Sequence, residues 1–301
     1  MSIKPNSGTA LKKAVIFGAS GQDGYYLSEA CRKRGIQTLS TGHRIGNSVC
    51  DVSKWDQVLQ VISEFKPDAI FHLAAHSTTA HAALFENHEA IATGTLNILE
   101  AAWKITPQAR IFVAGSGVQF KNIGEPIKEN DTFDATSPYA ISRIHATYAA
   151  RYYRTLGLKA YVGYLFHHES PRRGLTHTSK MISEAVRRIA RGSQEQIELG
   201  DITVEKEWSF AGDIVEAILT LVKQDEIYEC VIGSGKAYSI QDWLDTCFGI
   251  FNLDWREHVH LKKSFIAEYK RLVSNPETIH RLGWVPVIGF EELAKLMVCN
   301  D

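Results

Sequence analysis

The stretch AVIFGASGQDGYYLSEACRKRG, residues 14 to 35, constrains this chain more than any other. Ala14 to Phe17 is short, apolar and ended by glycine, which is the pattern of a buried parallel strand. Gly18, Gly21 and Gly24 follow at the spacing G-x-x-G-x-x-G, and residues 22 to 34 read as a helix stopped by Gly35. A strand feeding a glycine turn that opens a helix is a phosphate cradle. Gly18 permits the sharp turn, Gly21 lets the backbone approach a pyrophosphate, and Gly24 lets helix and strand pack closely. The helix N-terminus offers unpaired N–H groups and about half a positive charge, which favours an anion. Ser20, Gln22 and Asp23 complete the turn and join the glycines as candidate cofactor contacts. The arrangement predicts dinucleotide binding. The plain alternative is a glycine-rich turn in an ordinary α/β domain.

Residues 36 to 40 read as a second strand, with His43 and Arg44 directly after it. A fold that selects NAD usually ends this strand with Asp or Glu, for the adenine ribose hydroxyls. None stands here, and Arg44 can pair with a 2′-phosphate. This favours NADP, with NAD possible. Val49 to Val52 reads as a short third strand that brings Asp51 and Val52 near the adenine end. Ser53 reads as the cap of a helix over about 54 to 65. AIFHLAA, 69 to 75, is a continuous apolar run suited to the middle of a parallel sheet. Its end, Leu73, Ala74 and Ala75, faces the cofactor in such a sheet.

A helix over about 87 to 105 and a strand over 110 to 114 follow. Ser137-Pro138 opens a further helix that stops at Gly157, and Lys159 to Phe166 is a strand. The alternation predicts an α/β fold, a doubly wound parallel sheet of the Rossmann type, with a smaller substrate-binding lobe. Beyond 166 the chain turns polar and basic, with helix signals at 178 to 191, 211 to 222, 240 to 250 and 275 to 282. Short strands are expected at 196 to 199 and 227 to 232. Residues 1–166 with 207–237 read as the dinucleotide-binding domain, and 167–206 with 238–301 as the lobe.

The net charge of −1 gives no excess that would point to nucleic acid or an anionic membrane. No stretch reaches the roughly 20 apolar residues that span a bilayer, and the polar leader Met1 to Lys13 lacks the core of a secretory signal. Five cysteines, at 31, 50, 230, 247 and 299, form no C-x-x-C pair, which fits reduced thiols in the cytoplasm. His76, His81 and His88 lack a compact ligand spacing, so no metal is expected.

Tyr139 and Arg143 lie one helical turn apart and share a face. Ser116 follows the strand at 110 to 114 and so lies at a strand's carboxyl end. A serine, a tyrosine and a cation converging there can oxidise an alcohol. The tyrosine takes the hydroxyl proton, the serine hydrogen-bonds the same oxygen, and hydride leaves for nicotinamide. A phenol ordinarily ionises near about 10 and is a poor base, but a neighbouring cation stabilises its anion.

These pieces resemble the extended short-chain dehydrogenase/reductases of the NAD-dependent epimerase/dehydratase family, and within it the GDP-mannose 4,6-dehydratases. The matching stretches are GASGQDGYYLSEA (18 to 30), SPYAISR (137 to 143), HESPRRG (168 to 174), LGDITVEKEWSFAGDIVEAI (199 to 218) and LGW (282 to 284). The resemblance implies a two-lobed fold, a bound nicotinamide dinucleotide and a GDP-sugar substrate. It also implies that Ser116, Tyr139 and Arg143 are catalytic. By the same resemblance His76, Gly117, Val118, His167, Glu169, Arg172, Arg173, Lys180, Lys206 and Glu268 touch the sugar nucleotide. A homodimer through the helices near 87 to 105 and 138 to 156 is the family's common arrangement.

Three departures qualify this. The family's Tyr-x-x-x-Lys reads Tyr139-x-x-x-Arg143 here; arginine keeps the charge but is planar and passes no proton on. The family's Thr-Ser-Glu reads Ser116-Gly117-Val118, and valine cannot take the C5 proton whose removal precedes loss of water. Glu129 and Asp131 stand nearby in sequence. The family's long arginine-rich insertion after the second strand is reduced here to the few residues from Arg44 to Asp51, as in the related 4-keto reductases. The expectation is therefore hydride exchange at C4 of a nucleotide-linked sugar without dehydration. The alternatives are a 4,6-dehydratase with a displaced base and a catalytically silent dinucleotide-binding protein.

Overall fold

In the computed structural model, β1 (Lys13–Phe17) is buried on both sides, so every residue of its apolar run packs. The structure describes residues 11–42, 50–262 and 267–299. From β1 the chain enters α1 (Gln22–Lys33), returns as β2 (Gln37–Thr41), and crosses through α2 (Trp55–Phe65) to β3 (Ala69–His72). A helical run from Leu84 to Ile105 leads to β4 (Arg110–Ser116), and the helix Pro138–Thr155 leads to β5 (Lys159–Leu165). The helix Ala211–Leu221 then leads to the strand Glu229–Ile232.

The six strands form one sheet in the order Glu229–Ile232, β5, β4, β3, β1, β2, and every pairing is parallel. The chain runs outward from β1 to β2 and then passes to the other side of β1 for β3. That reversal opens a crevice beyond the carboxyl ends of β1 and β3, where such sheets bind ligands. Alternation along the strands feeds two cores. Val15, Phe17, Ile70, Ile111, Val113 and Val162 face one side, with Ile62, Ile98 and Ala150 packed on them. Ala14, Ile16, Phe71, Phe112 and Tyr161 face the other, with Leu27, Ile214 and Ile218 packed on them.

A third core joins Ile182, Val186, Trp208, Trp243, Phe248, Leu293 and Met297, with the rings of Trp208 and Trp243 stacked at 4.4 Å. Ile279 and Trp284 pack instead with the sheet. The helix Phe290–Cys299, which also feeds the third core, was not foreseen from its short amphipathic pattern.

Three local expectations are corrected. Residues 50–54 form no strand. Asp51 Oδ1 accepts from the Ser53 amide at 2.9 Å and the Asp51 carbonyl accepts from the Lys54 amide at 3.0 Å, so the backbone closes a turn on itself instead of joining a ladder. Ser53 is not the cap of α2; Lys54 holds that position and no side chain caps it. The strand at 69 ends at His72, three residues early. The Leu73 amide still donates to the Phe17 carbonyl at 2.9 Å, and beyond it the chain passes close to the glycine turn, where a Cβ on Gly18 would stand 2.5 Å from the Ala74 nitrogen. The cap at Ser137 stands as expected, its hydroxyl accepting from the Ala140 amide at 3.2 Å. No described helix is long and apolar enough to cross a membrane.

Candidate active site

Gly18 turns the chain at φ +88°, a left-handed backbone that a side chain would strain. The amides of Gly18 and Ala19 both donate to the Thr41 carbonyl at 3.1 Å, which ties the turn to the end of β2. Gly21 is the N-cap of α1 and no side chain caps that end. The first-turn amides therefore face a cavity of about 590 Å³. Gly18, Ser20, Gly21, Gln22, Asp23 and Gly24 line it, together with Asp51, Val52, Leu73, Ala74 and Ala75. Every described residue read as a cofactor contact thus meets in this cavity except Tyr139 and Arg143, which line the one beside it. Arg44 lies outside the described residues. Glu86, Glu89 and Ala90 close the far wall, where the helical run takes a π-turn over His88–Thr93. Such turns often mark functional sites.

A second cavity, of about 460 Å³, adjoins the first and shares Asp23, Leu73, Ser77, Arg173 and His177 with it. Ser116, Gly117 and Val118 from the end of β4, Tyr139 and Arg143 from the helix Pro138–Thr155, and His167 and Glu268 all line it. Ser116 is the last residue of β4, and its amide donates to Gln119 Oε1 at 2.9 Å. Gln119 Nε2 reaches Thr147 Oγ1 at 3.1 Å, and Thr147 donates to the Arg143 carbonyl at 3.0 Å. This buried chain locks Ser116 to the helix that carries Tyr139 and Arg143. Its members Gln119 and Thr147 had no signal in the sequence beyond lying near a motif.

Arg143 is buried, with its guanidinium 5.0 Å from the centre of the Tyr139 ring and Nη1 bonded to the Ala114 carbonyl. Its Nε has no hydrogen-bond partner. The guanidinium therefore lies over the phenol ring as a cation–π contact. Beneath it His72 is wholly buried, and burial, with Arg143 nearby, pushes its imidazole down to about 3. His72, which lines neither cavity, is thus neutral.

Five residues read as sugar-nucleotide contacts stand elsewhere. His76 and Arg172 line the glycine-turn cavity and not the second one. Arg172 lies over the Tyr25 ring of α1 at 3.7 Å. Glu169, Lys180 and Lys206 line neither cavity. Glu169 is wholly buried and meets His167 at 2.8 Å and Arg173 at 3.5 Å. Lys180 pairs with Glu184 at 2.6 Å, one turn along its own helix. Lys206 lies against Trp208, and burial pushes its amine down to about 8. Sequence alignment places a side chain along the chain, but the partner that takes it is set by neighbours distant in sequence.

His167 offers no free nitrogen to the cavity, since Nδ1 meets the Glu207 carbonyl at 2.6 Å and Nε2 meets Glu169. The two acids near position 118 in sequence also turn away. Glu129 accepts from the Val231 amide at 3.1 Å, and Asp131 accepts from the Lys128 amide at 2.9 Å. Val118 itself is half-buried in the cavity wall, and Glu268 is the exposed carboxylate across from it. His168 and His177, which the sequence reading had not assigned to a site, line the second cavity. Among the described residues no cluster of three or more His, Cys, Asp or Glu side chains could hold a metal ion.

The family model for GDP-mannose 4,6 dehydratase matches residues 41–297. The chain is 32% identical to GDP-mannose 4,6 dehydratase 1 of Arabidopsis thaliana, over 96% of this chain and 90% of that protein. It is 27% identical to GDP-mannose 4,6-dehydratase of Vibrio cholerae, over 96% of this chain and 93% of that one. Among solved structures, RMD from Pseudomonas aeruginosa complexed with NADPH superposes with a TM-score of 0.85 at 21% identity, over 96% of this chain and 98% of that chain. Thermus thermophilus UDP-glucose 4-epimerase in complex with NAD gives 0.82, also at 21% identity, over 95% and 98%. At that identity these two report the fold.

Proposed function

The chain belongs to the GDP-mannose 4,6-dehydratase family of NAD(P)-dependent nucleotide-sugar enzymes, and from that premise we propose that it is an NADP(H)-dependent oxidoreductase that exchanges hydride at C4 of a GDP-linked sugar without removing water. One observation carries this reading: Ser116, Tyr139 and Arg143 share the wall of a cavity that adjoins the glycine turn, and position 118 in that wall is valine. The dinucleotide would lie along Gly18–Gly24, its pyrophosphate on the first-turn amides of α1 and on Arg173. It supplies the hydride acceptor or donor. Tyr139 moves the proton of the C4 hydroxyl, Ser116 hydrogen-bonds that oxygen, and Arg143 supports the charge on the phenol. NADPH in the Pseudomonas RMD structure and NAD in the Thermus epimerase support a nicotinamide dinucleotide for this chain.

Removal of water also needs a base for the C5 proton, and Val118 is aliphatic. The dehydratases among the relatives, and the presence of Glu268 in the same cavity, favour a second reading, a 4,6-dehydratase with a displaced base. Product masses separate the two. The protein is incubated with NADP(H) and a panel of GDP-sugars. A gain or loss of two hydrogens is expected for the wild type, and a loss of water for Val118→Glu. Loss of water by the wild type, abolished in Glu268→Gln, would establish the second reading and end the first. Binding of cofactor with no turnover of any sugar would end both.

The same reading includes a homodimer. Leu96 and Trp103 on the helix Gly94–Ile105, and Ile141, Tyr148 and Tyr152 on the helix Pro138–Thr155, are exposed, the last two by 57% and 59%. Apolar side chains so clustered fit burial against a second copy. Light scattering is expected to give twice the chain mass, and Tyr148→Lys with Tyr152→Lys to give the monomer; a monomeric wild type would refute this. The five free thiols support a reducing, cytoplasmic setting.

A further inference from the structure

The segment His167 to Arg173 runs between the two cavities as a two-sided strap. His168–Glu169 pairs as a short strand with Ser209–Phe210, so successive side chains leave on opposite sides. His167 and Glu169 meet on one side. The other side meets the first turn of α1. His168 Nε2 lies 2.9 Å from Asp23 Oδ1. Ser170 donates to Gln22 Oε1 at 2.9 Å, and Gln22 Nε2 donates to the His168 carbonyl at 3.3 Å. Arg172 covers Tyr25. Three residues of one helical turn thus hold three alternate residues of a strap about 146 positions away.

Asp23 is the anomaly in this arrangement. It puts a carboxylate in the first turn of α1, where a pyrophosphate is to bind, and it lines both cavities. Like charge there opposes the anion that the helix end attracts. His168 resolves the conflict. Its Nδ1 meets the Phe166 carbonyl at 2.7 Å and its Nε2 meets the carboxylate, so both nitrogens face acceptors, which favours the doubly protonated ring. Burial opposes ionisation of each, yet Asp23 is held below the usual carboxylate range and His168 above the usual imidazole value, each by the other. Arg173 faces both groups, and Arg143 also acts on Asp23.

We propose that Asp23 and His168 are a positioning pair: the imidazolium cancels the carboxylate inside the anion cradle and latches the strap, with Arg173, across the pyrophosphate of a bound dinucleotide. This rests on the dinucleotide reading above. Neither residue takes part in proton or hydride transfer.

The sign of the effect distinguishes a latch from a generic contact. His168→Gln removes the cation bonded to Asp23, so the NADPH dissociation constant of the variant, read by fluorescence titration, is expected to rise about tenfold or more. Adding Asp23→Asn removes the stranded charge and is expected to recover most of that loss. His168 holds its proton below its raised value and loses it as pH climbs through that value. Wild-type affinity should therefore fall as the pH rises through that value, and that of the double variant should not. Without cofactor, hydrogen exchange over 167–173 should quicken in His168→Gln while β1 and β4 stay protected. A double variant no tighter than His168→Gln, or one sharing the wild-type pH profile, would overturn the pair. If the wild type binds no dinucleotide, the functional reading fails, and the exchange experiment decides the latch alone: unchanged exchange over 167–173 refutes it.

Discussion

Tyr139→Phe is expected to cut turnover by about 10³-fold while NADPH binds within about twofold of wild type. The phenol oxygen is the one atom removed. The ring stays between Arg143 and the cavity, so packing and the 5.0 Å cation contact survive. The groups packed nearest the phenol are poor replacements for the lost proton carrier. Both nitrogens of His167 are engaged, Asp23 is paired with His168, and Arg143 does not give up its proton. The loss should fall on kcat and kcat/KM alike, because the interaction forms only as the proton moves. Steady-state rates on the substrate identified by product mass, with NADPH titration alongside, check this. A variant within about tenfold of wild type would remove Tyr139 from the chemistry.

Gly18→Ala is expected to damage the fold severely, at roughly 3 kcal/mol or more. Two costs combine. The residue sits at φ +88°, and the added Cβ would meet the Ala74 nitrogen at 2.5 Å and the Leu73 carbonyl carbon at 2.8 Å. Those atoms are backbone at the end of β3, so no rotamer change relieves the contact. The turn must move, and with it the amides of Gly18 and Ala19 that bond Thr41 and the first turn of α1. Urea unfolding should show the midpoint falling sharply, and NADPH affinity should fall by at least about tenfold in whatever protein stays folded. Gly35→Ala is the control. It shares a positive φ of 68° but has nothing within 4 Å, so it should cost only the backbone strain. Equal effects at both positions would show that the close approach of Gly18 to β3 does not matter.

The legible parts of this protein are those whose causes are local. A run of apolar residues ended by glycine has few ways to fold, so β1, the turn and α1 were readable to within a residue or two. Ser137 and Pro138 announce their helix because cap and first turn satisfy their own amides. The supposed strand at 49 to 52 failed because the pattern was four residues long, and Asp51 could close a turn with Ser53 and Lys54 at no cost in backbone hydrogen bonds. An apolar run does not record where its ladder stops, so residues 69 to 75 read as one strand while the pairing ends at Leu73, beside the glycine turn.

The sequence by itself determined the glycine cradle, most of the strand–helix alternation of the sheet, a serine at a strand end, and a tyrosine and a cation one helical turn apart. Each follows from spacing within a few residues. Only the tertiary structure decided where the charges of HESPRRG go: Arg172 to the cofactor side, Arg173 to both cavities, Glu169 inward to His167. The reason is that a strap's two faces are equivalent until something packs on one of them. Here that partner is the first turn of α1, whose Gln22 and Asp23 reach residues about 146 positions away and so select which side chains face the anion.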